Sequence, residues 1–283
     1  MLLCDMISKI TNGLLVEPSL TPKPGAVTPE KRHKDKNYYD FLIHSNIVQK
    51  VMYETCKRYE KEEKNIIAYG FKLYRKFLIE NNIGKNIALG EFLLHLPFSI
   101  AIYYGQNSYE IAKASSEIIR NTGREEGIEY YEILKGLSLS YLGKYQGLEK
   151  DVNEGYPNSF IDVLEKYSWD LVYKELLNNY SISLEIKEKM EKINEEKLNE
   201  KFLWGFIHLI SSYGDTLIAK KNGFNAFIKT RNDAEIAKII AKKYGIKFAL
   251  DYLDKLWRPL KINPGSSLDV LSSSITFYFL DNF

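Results

Sequence analysis

Three polar segments hold the residues whose types and spacing best suit chemistry. The first begins at Glu17, continues through the run T-P-K-P-G at Thr21–Gly25, and is followed by His33 and Asp35. Because proline fixes its own φ angle, the two prolines beside Lys23 predict a stiff turn that holds an ammonium group in place. Such a turn suits an anion. A surface turn that happens to contain a lysine has the same sequence, and both interpretations stay open on this segment alone.

The second segment opens the last predicted helix and contains Gly265, Ser266, Ser267 and Asp269. Glycine and serine at a helix start present backbone N–H groups at the positive end of the helix dipole, which favours an anion there. A serine N-cap followed by an acidic residue in the first turn explains the same residues without any ligand.

The third segment, Asp215–Lys221, begins with a carboxylate and ends with Lys220 and Lys221. A carboxylate and two ammonium groups could bind magnesium and phosphate together. Ordinary ends of amphipathic helices look the same, so this segment is weak evidence by itself.

The histidines do not add a further site. The four of them lack the spacing of metal ligands, and the sequence contains no nucleophile elbow and no glycine-rich phosphate loop. His95 and His208 lie within apolar helical patterns, which favours core histidines. His44 follows the polar opening and has no obvious partner.

Composition excludes several classes of protein. The 39 basic and 37 acidic residues give a net charge of only +2, which argues against a dedicated nucleic-acid binder. No stretch of 18 residues is apolar and uncharged, and the N-terminus lacks the pattern of a signal peptide, so neither a membrane span nor secretion is expected. Cys4 and Cys56 are far apart and outside any C-x-x-C spacing, which predicts two isolated thiols in a reducing cytoplasm.

Apolar residues recur every three or four positions along most of the chain, whereas two-residue alternation is scarce. This periodicity predicts an all-α protein of about ten helices in one compact domain over residues 1–283. The polar, proline-rich opening Glu17–Asn37 is the exception and is predicted to be disordered or functional. Pro97 predicts a kink or break near Leu96. The predicted helices include Ser108–Arg120 with Ser108 as N-cap, Tyr130–Leu142, Ser159–Asn178, a hairpin within Glu185–Lys201, Arg231–Tyr244, Ile246–Trp257 and Ser267–Leu280.

Taken in this order, the three segments resemble the triphosphoribosyl-dephospho-CoA synthase family, in a divergent, archaeal-type branch. The family pattern has a Glu, then T-P-K-P-G, then H-x-D near its start. A D-[ST]-L-I-A-R-K type segment lies in its middle and N-P-G-x-x-x-D near its end. The matching residues are Glu17, Thr21–Gly25, His33, Asp35, Asp215–Lys221 and Asn263–Asp269, with weaker matches at Leu142-Gly143, Asp151-Val152 and Trp169-Asp170. The chain departs from the pattern around His33, at Ala88 and at Glu125–Gly127.

The resemblance implies transfer of the 5-triphosphoribosyl group of ATP to the 2′-hydroxyl of 3′-dephospho-CoA, with release of adenine. By this resemblance His33 or Asp35 is the general base. Mg²⁺ on the triphosphate is the implied cofactor, and a homo-oligomer is compatible with it. The implied metal ligands are Glu17, Asp151, Asp215 and Asp269. The implied nucleotide-binding residues are Thr21, Lys23, Gly25, Lys220, Lys221, Gly265, Ser266 and Ser267.

Two alternatives remain at this point. One is a related ribosyl or phosphoribosyl transferase that uses the same nucleotide site but acts on another coenzyme precursor, because the departures from the family pattern concern the acceptor more than the nucleotide donor. The other is a non-catalytic nucleotide-binding helical protein whose loops are only caps and turns.

Overall fold

The structure is a computed structural model that describes residues 3–137, 155–195 and 197–283, and over these residues the chain is helical without a β-strand. The all-α prediction is therefore confirmed. A short 3-10 helix at Leu3–Met6 comes first. The α-helices are α1 (Ile7–Ile10), α2 (Asn12–Ser19), α3 (Tyr38–Tyr59), α4 (Ile66–Glu80), α5 (Leu89–His95), α6 (Phe98–Ala101), α7 (Ser108–Arg120), α8 (Arg124–Gly136), α9 (Phe160–Lys166), α10 (Leu171–Leu177), α11 (Ser181–Lys192), α12 (Leu198–Tyr213), α13 (Thr216–Asn222), α14 (Phe224–Tyr244), α15 (Ile246–Trp257) and α16 (Gly265–Asn282).

The helices group into two compact units. Unit 1 comprises residues 1–10 and 44–180, and unit 2 comprises residues 11–43 and 181–283. The prediction of one domain over residues 1–283 stays a prediction. None of the helices in the described parts of the chain is both long enough and apolar enough to cross a membrane.

Unit 1 is built around aromatic side chains. Tyr74 of α4 stacks on Phe92 of α5, with ring centroids 3.7 Å apart. Phe71 and Tyr130 both pack edge-on against Phe160, at 5.1 and 5.0 Å. Edge-on pairs of aromatic rings are electrostatically favourable, and they also bury large apolar surfaces. These contacts join α4, α5, α8 and α9 into one core.

Cys4 and Cys56 form a disulfide bond that links the first helical turn to α3. The prediction of two isolated thiols is therefore wrong. Spacing cannot show this pairing, because the two cysteines are 52 residues apart and only the fold brings them together. The cysteines therefore do not support the prediction of a reducing cytoplasm.

The prediction for His95 is confirmed, whereas His44 and His208 differ from their predictions. His95 is fully buried, and its Nδ1 bonds to the backbone oxygen of Glu91 at 2.8 Å. Burial lowers the pKa of His95 to about 4. His44 does have a partner, the hydroxyl of Tyr74 at 2.8 Å. His208 is only half-buried, so its interpretation as a core histidine is wrong.

Unit 2 is organised around α16, which is buried along most of its length and packs against α2, α11, α12 and α13. Gly13 allows α2 to approach α16 closely, because a Cβ atom at this position would overlap the backbone oxygen of Ser272. On the other side of the unit, α14 packs against both α12 and α15. The end of α2 and the starts of α13 and α16 carry most of the polar segments singled out in the sequence.

Side-chain caps explain where the predicted helix boundaries fail. The predicted helix Ser159–Asn178 is two helices, because Asp170 accepts backbone hydrogen bonds from Val172 and Tyr173 and starts α10. The N-cap of α7 is Asn107 rather than Ser108, since the Asn107 side chain accepts from the Glu110 N–H. An apolar repeat does not reveal such breaks, because it continues across them.

The other helix boundaries agree more closely with those predicted from the sequence. The helix is interrupted at Leu96–Pro97, as Pro97 predicts. The predicted hairpin of residues 185–201 corresponds to α11 and the start of α12, which pack together. Helix α8 begins before Tyr130, at Arg124, and residues 138–142 of its prediction lie outside the described residues. Helix α14 also begins early, whereas Ile246–Trp257 is confirmed.

Candidate active site

The segment between α2 and α3 has no regular secondary structure, but most of its first half is buried. Residues 22–28 are all buried, and Lys23 is only 2% exposed. The Thr21–Pro22 peptide bond is cis, and Thr21 itself is partly exposed. An exposed surface turn is therefore excluded for this run. It is a packed part of unit 2.

Lys23 points inward and pairs with Glu17. Its Nζ donates to Glu17 Oε1 at 2.6 Å and to the backbone oxygen of Glu17 at 2.8 Å. Burial raises the pKa of Glu17, and the charge and hydrogen bond of Lys23 oppose that rise. The pair joins the end of α2 to the turn that follows it. Both residues are engaged with each other rather than presented as a separate phosphate anchor and metal ligand.

Gly25 is required by the backbone at its position. Its φ angle is +70°, in the region that favours glycine, and an added Cβ atom would overlap the carbonyl oxygen of Ile262. The loop therefore lies directly against the backbone that leads into α16. This close approach explains why a glycine occupies the last position of the run T-P-K-P-G.

Asp254 of α15 holds the same loop from the side. One of its carboxylate oxygens accepts from the Gly25 N–H at 2.8 Å, and the other accepts from Lys31 Nζ at 2.8 Å. Arg258, one turn later, donates to both oxygens of Asp254 and also to the backbone oxygen of Ala26 at 2.9 Å. Asp254 and Arg258, at the end of α15, thus bond to Gly25, Ala26 and Lys31 of the loop.

The oxygen of Gly25 orients His33. His33 Nε2 lies 2.8 Å from it, and a carbonyl oxygen can only accept, so Nε2 carries the proton of the neutral ring. Among the described residues, Nδ1 of His33 has no hydrogen-bond partner. Burial lowers the pKa of His33, and the charges of Lys36 and Arg258 lower it further, against the effects of the Gly25 bond and Asp35. At neutral pH the ring is uncharged, with a lone pair on Nδ1.

Asp35 is exposed and interacts electrostatically with Lys221 at the end of α13. Asp215 at the start of α13 acts on the same ammonium group. Partial burial lowers the pKa of Lys221, and the charges of Asp35 and Asp215 oppose that shift. Much of the Lys221 side chain nevertheless faces solvent. The structure therefore brings the H-x-D part of the first segment next to the third segment.

Asp215 connects the third segment to the second. One carboxylate oxygen accepts from the Ile218 N–H at 2.8 Å and caps α13, and the other accepts from the Ser267 N–H at 2.7 Å. The Ser267 hydroxyl also donates to the backbone oxygen of Gly214 at 3.1 Å. The Ser267 amide is thus already bonded, which corrects its prediction as a phosphate donor. Asp215 is fully buried and serves two helix starts.

The amides of Gly265 and Ser266 differ from that of Ser267. They occupy the first two positions of α16, and neither has an acceptor within the described residues. Asp269 is partly exposed on the first turns of the same helix. Lys220 is likewise partly exposed. Ser266 itself is buried, whereas Gly265 is partly exposed and Lys221 is exposed.

The chain matches the model of the CitG family, ATP:dephospho-CoA triphosphoribosyl transferase, over residues 7–283. The chain belongs to this family. Its members transfer a triphosphoribosyl group and use ATP and dephospho-CoA. Among curated proteins, none matches the chain significantly.

A solved structure from Archaeoglobus fulgidus, provisionally named a triphosphoribosyl-dephospho-CoA synthase, has a similar fold, with a TM-score of 0.64. The two sequences are 21% identical, and the similarity covers 86% of this chain and 99% of the other. At this identity the likeness supports the helical fold.

The carboxylates of this CitG-family chain do not form a closed metal cage in the described residues. No group of three or more His, Cys, Asp or Glu side chains is arranged to hold an ion there. Glu17 is paired with Lys23, Asp215 accepts two backbone hydrogen bonds, and Asp151 lies outside the described residues. Mg²⁺ usually binds one or two carboxylates together with substrate phosphates, and the partly exposed Asp269 suits that mode.

Sequence reasoning missed Asp254 and Arg258. They lie four residues apart at the C-terminal end of α15, which is the spacing of an ordinary surface ion pair on a helix. Their bonds to the loop span about 230 residues of sequence, so no local pattern predicts them.

Proposed function

We propose that the assembly of the T-P-K-P-G loop, α13 and the start of α16 binds the triphosphate of ATP and activates the acceptor hydroxyl of dephospho-CoA. The observation that carries this proposal is the state of His33. Its neutral ring is held through Nε2, its Nδ1 has no partner within the described residues, and it lies in the same short segment as Asp35, which acts on Lys221. A base and a cation for phosphate are thereby close in one unit.

In the proposed reaction, the 2′-hydroxyl of dephospho-CoA attacks C1′ of the ribose of ATP. The N-glycosidic bond breaks, and adenine leaves with its electron pair and takes up a proton. The hydroxyl proton moves to Nδ1 of His33. Charge develops on the ribose as in glycoside hydrolysis, so a base that acts as the C–O bond forms lowers the barrier.

The triphosphate is proposed to meet Lys220, Lys221 and the amides of Gly265 and Ser266. These amides lie at the positive end of the α16 dipole, which favours phosphate oxygens. Magnesium is proposed to arrive on the nucleotide and to use Asp269, where it would neutralise phosphate charge. Lys23 and Glu17 are proposed to support the loop from beneath.

The test is adenine release, followed by chromatography, from Mg-ATP with and without dephospho-CoA. The informative variant is His33→Gln, because the glutamine amide can still donate to the Gly25 oxygen but cannot accept a proton. We expect kcat to fall by about 10²–10⁴-fold, with little change in KM for ATP. His208→Gln, on α12, is the matched control and should keep wild-type turnover.

The outcomes separate the proposal from its alternatives. Adenine released only with another coenzyme precursor would indicate a related transferase, and no adenine with any acceptor would favour a non-catalytic protein. Full activity of His33→Gln would remove His33 as the base. A cytoplasmic location is also proposed, on the basis of the nucleotide substrates.

A further inference from the structure

The carboxylate of Asp254, on α15, is buried and accepts most of its hydrogen bonds from groups outside the backbone of that helix. It is only 4% exposed. It accepts from the Gly25 amide, from the Lys31 ammonium and from the Arg258 guanidinium. Burial alone would raise the pKa of Asp254, but the bonds from Arg258, Lys31 and Gly25 outweigh it and hold the pKa below its ordinary value.

The peptide groups of Gly25 connect Asp254 to His33. The Gly25 amide donates to Asp254, and the Gly25 carbonyl accepts from His33 Nε2. The glycine cannot shift sideways toward Ile262, because that backbone already fills the space where a Cβ would be. The position of the carbonyl that orients the imidazole is thus determined on one side by Asp254 and on the other by Ile262.

Arg258 adds a second connection to the same loop. It donates to Asp254 with both Nε and Nη2, and Nη2 also donates to the Ala26 oxygen. The planar guanidinium can make these bonds at once, which a single ammonium group cannot. Asp254 and Arg258 therefore clamp Gly25 and Ala26, the two residues that follow T-P-K-P.

We propose that Asp254 is a positioning residue of the transferase, which acts through Gly25 to hold His33 with Nε2 occupied and Nδ1 directed to the acceptor. The inference rests on the proposed role of His33 as the base. Asp254 touches neither substrate in this proposal. It determines where the base is rather than performing a chemical step.

The principal test is Asp254→Asn in the full-length protein. The asparagine keeps the shape of the side chain but offers an NH₂ group where the donors of Lys31 and Arg258 now bond. Misplacement of a catalytic group by about 1 Å can cost about 10²-fold in rate, so we expect a loss of that order in kcat. KM for Mg-ATP should change by less than about threefold, because Lys220 and Lys221 are intact.

A second readout follows His33 directly. The Cε1–H signal of His33 in NMR gives its pKa, which burial and the nearby charges of Lys36 and Arg258 lower in the wild type, with Asp35 opposing. If the loop is released, the ring gains solvent and its pKa should return toward the ordinary value. A purely structural loss of stability elsewhere would not move this titration. An unchanged pKa in folded Asp254→Asn would overturn the inference, whatever happens to kcat.

Two further variants keep the test decisive. Asp251→Asn changes an exposed carboxylate on the same helix and should leave both kcat and the His33 titration as in the wild type. If Asp254→Asn does not fold, Arg258→Lys retains the charge but loses the bridge to Ala26, and it should show the same two changes in smaller measure. Wild-type behaviour of folded Arg258→Lys in both readouts would count against the clamp.

The NMR titration also separates this inference from the proposed function. It needs no turnover, so it reports on the positioning of His33 even if the wild type releases no adenine. Absence of adenine release would refute the proposed function alone.

Discussion

At the scale of single residues, the lysine of T-P-K-P-G does something other than what its sequence context predicts. Two prolines do hold Lys23 in place, but they direct it inward, where it neutralises Glu17. Both side chains are almost fully buried. A buried charge without its partner is costly, so each of these residues depends on the other.

Replacement of Lys23 by methionine should therefore destabilise the protein in a pH-dependent way. The change leaves the Glu17 carboxylate buried without a cation, and we expect a loss of about 3 kcal/mol in the free energy of unfolding at pH 8. The pKa of Glu17 is already raised in the folded protein and would rise further in the variant. A carboxyl group with a raised folded pKa is penalised above that pKa and relieved below it, so the loss should shrink as the pH falls to 5. Urea unfolding, followed by circular dichroism at both pH values, measures it.

The control is the double variant Glu17→Gln with Lys23→Met. It contains no buried charge at this place, so it should be more stable than Lys23→Met at pH 8. The difference between its free energy of unfolding and that of the wild type should change little with pH. An equal loss for Lys23→Met at pH 8 and pH 5 would show that packing of the lysine stem matters, and not the ion pair.

At the scale of elements, the loop after α2 keeps its place because backbone lies against backbone. Gly25 combines a positive φ angle with a contact that excludes a side chain. Gly223 offers a natural comparison, since its φ angle is +88° but no atom lies within 4 Å of the position that a Cβ atom would take. The two glycines share the conformational requirement and differ in the available space.

Gly25→Ala should consequently be more harmful than Gly223→Ala. Both variants place alanine at a positive φ angle, which costs about 1–3 kcal/mol. Only Gly25→Ala must also move the loop away from Ile262, and we expect an additional loss of at least about 1 kcal/mol together with a fall in turnover. Thermal unfolding and adenine release measure the two effects. Equal stability of the two variants would contradict the close contact.

The elements also show how far local sequence patterns reach. Apolar periodicity was sufficient for α15, and the proline itself was sufficient for the break at Pro97, because both features depend on neighbouring residues. It failed at Asp170, where one side chain ends an apolar repeat by capping a new helix. The pairing of Asp215 with Ser267 joins two segments that the sequence shows separately, and nothing in either segment reveals which amide the carboxylate would take.

At the scale of the whole molecule, the family motifs occur in the family's order along the sequence, and the structure gathers the three polar segments in unit 2. Their order along the chain does not specify their contacts. The sequence predicted that the loop, α13 and the start of α16 act together, but the residues that hold the loop in place, Asp254 and Arg258, are known only from the fold.

Binding of Mg-ATP should protect these distant segments together. Hydrogen exchange with mass spectrometry is expected to show slower exchange in residues 20–37, in α13 and at the start of α16, while α11 of the same unit, which carries none of the proposed site residues, stays unchanged. A ligand at 100 times its Kd adds about 2.7 kcal/mol of stability, so a rise in melting temperature should accompany the protection. Lys221→Met should weaken both effects, because it removes a cation that is proposed to bind the triphosphate. Protection confined to one of the three segments would mean that they do not form a common nucleotide site.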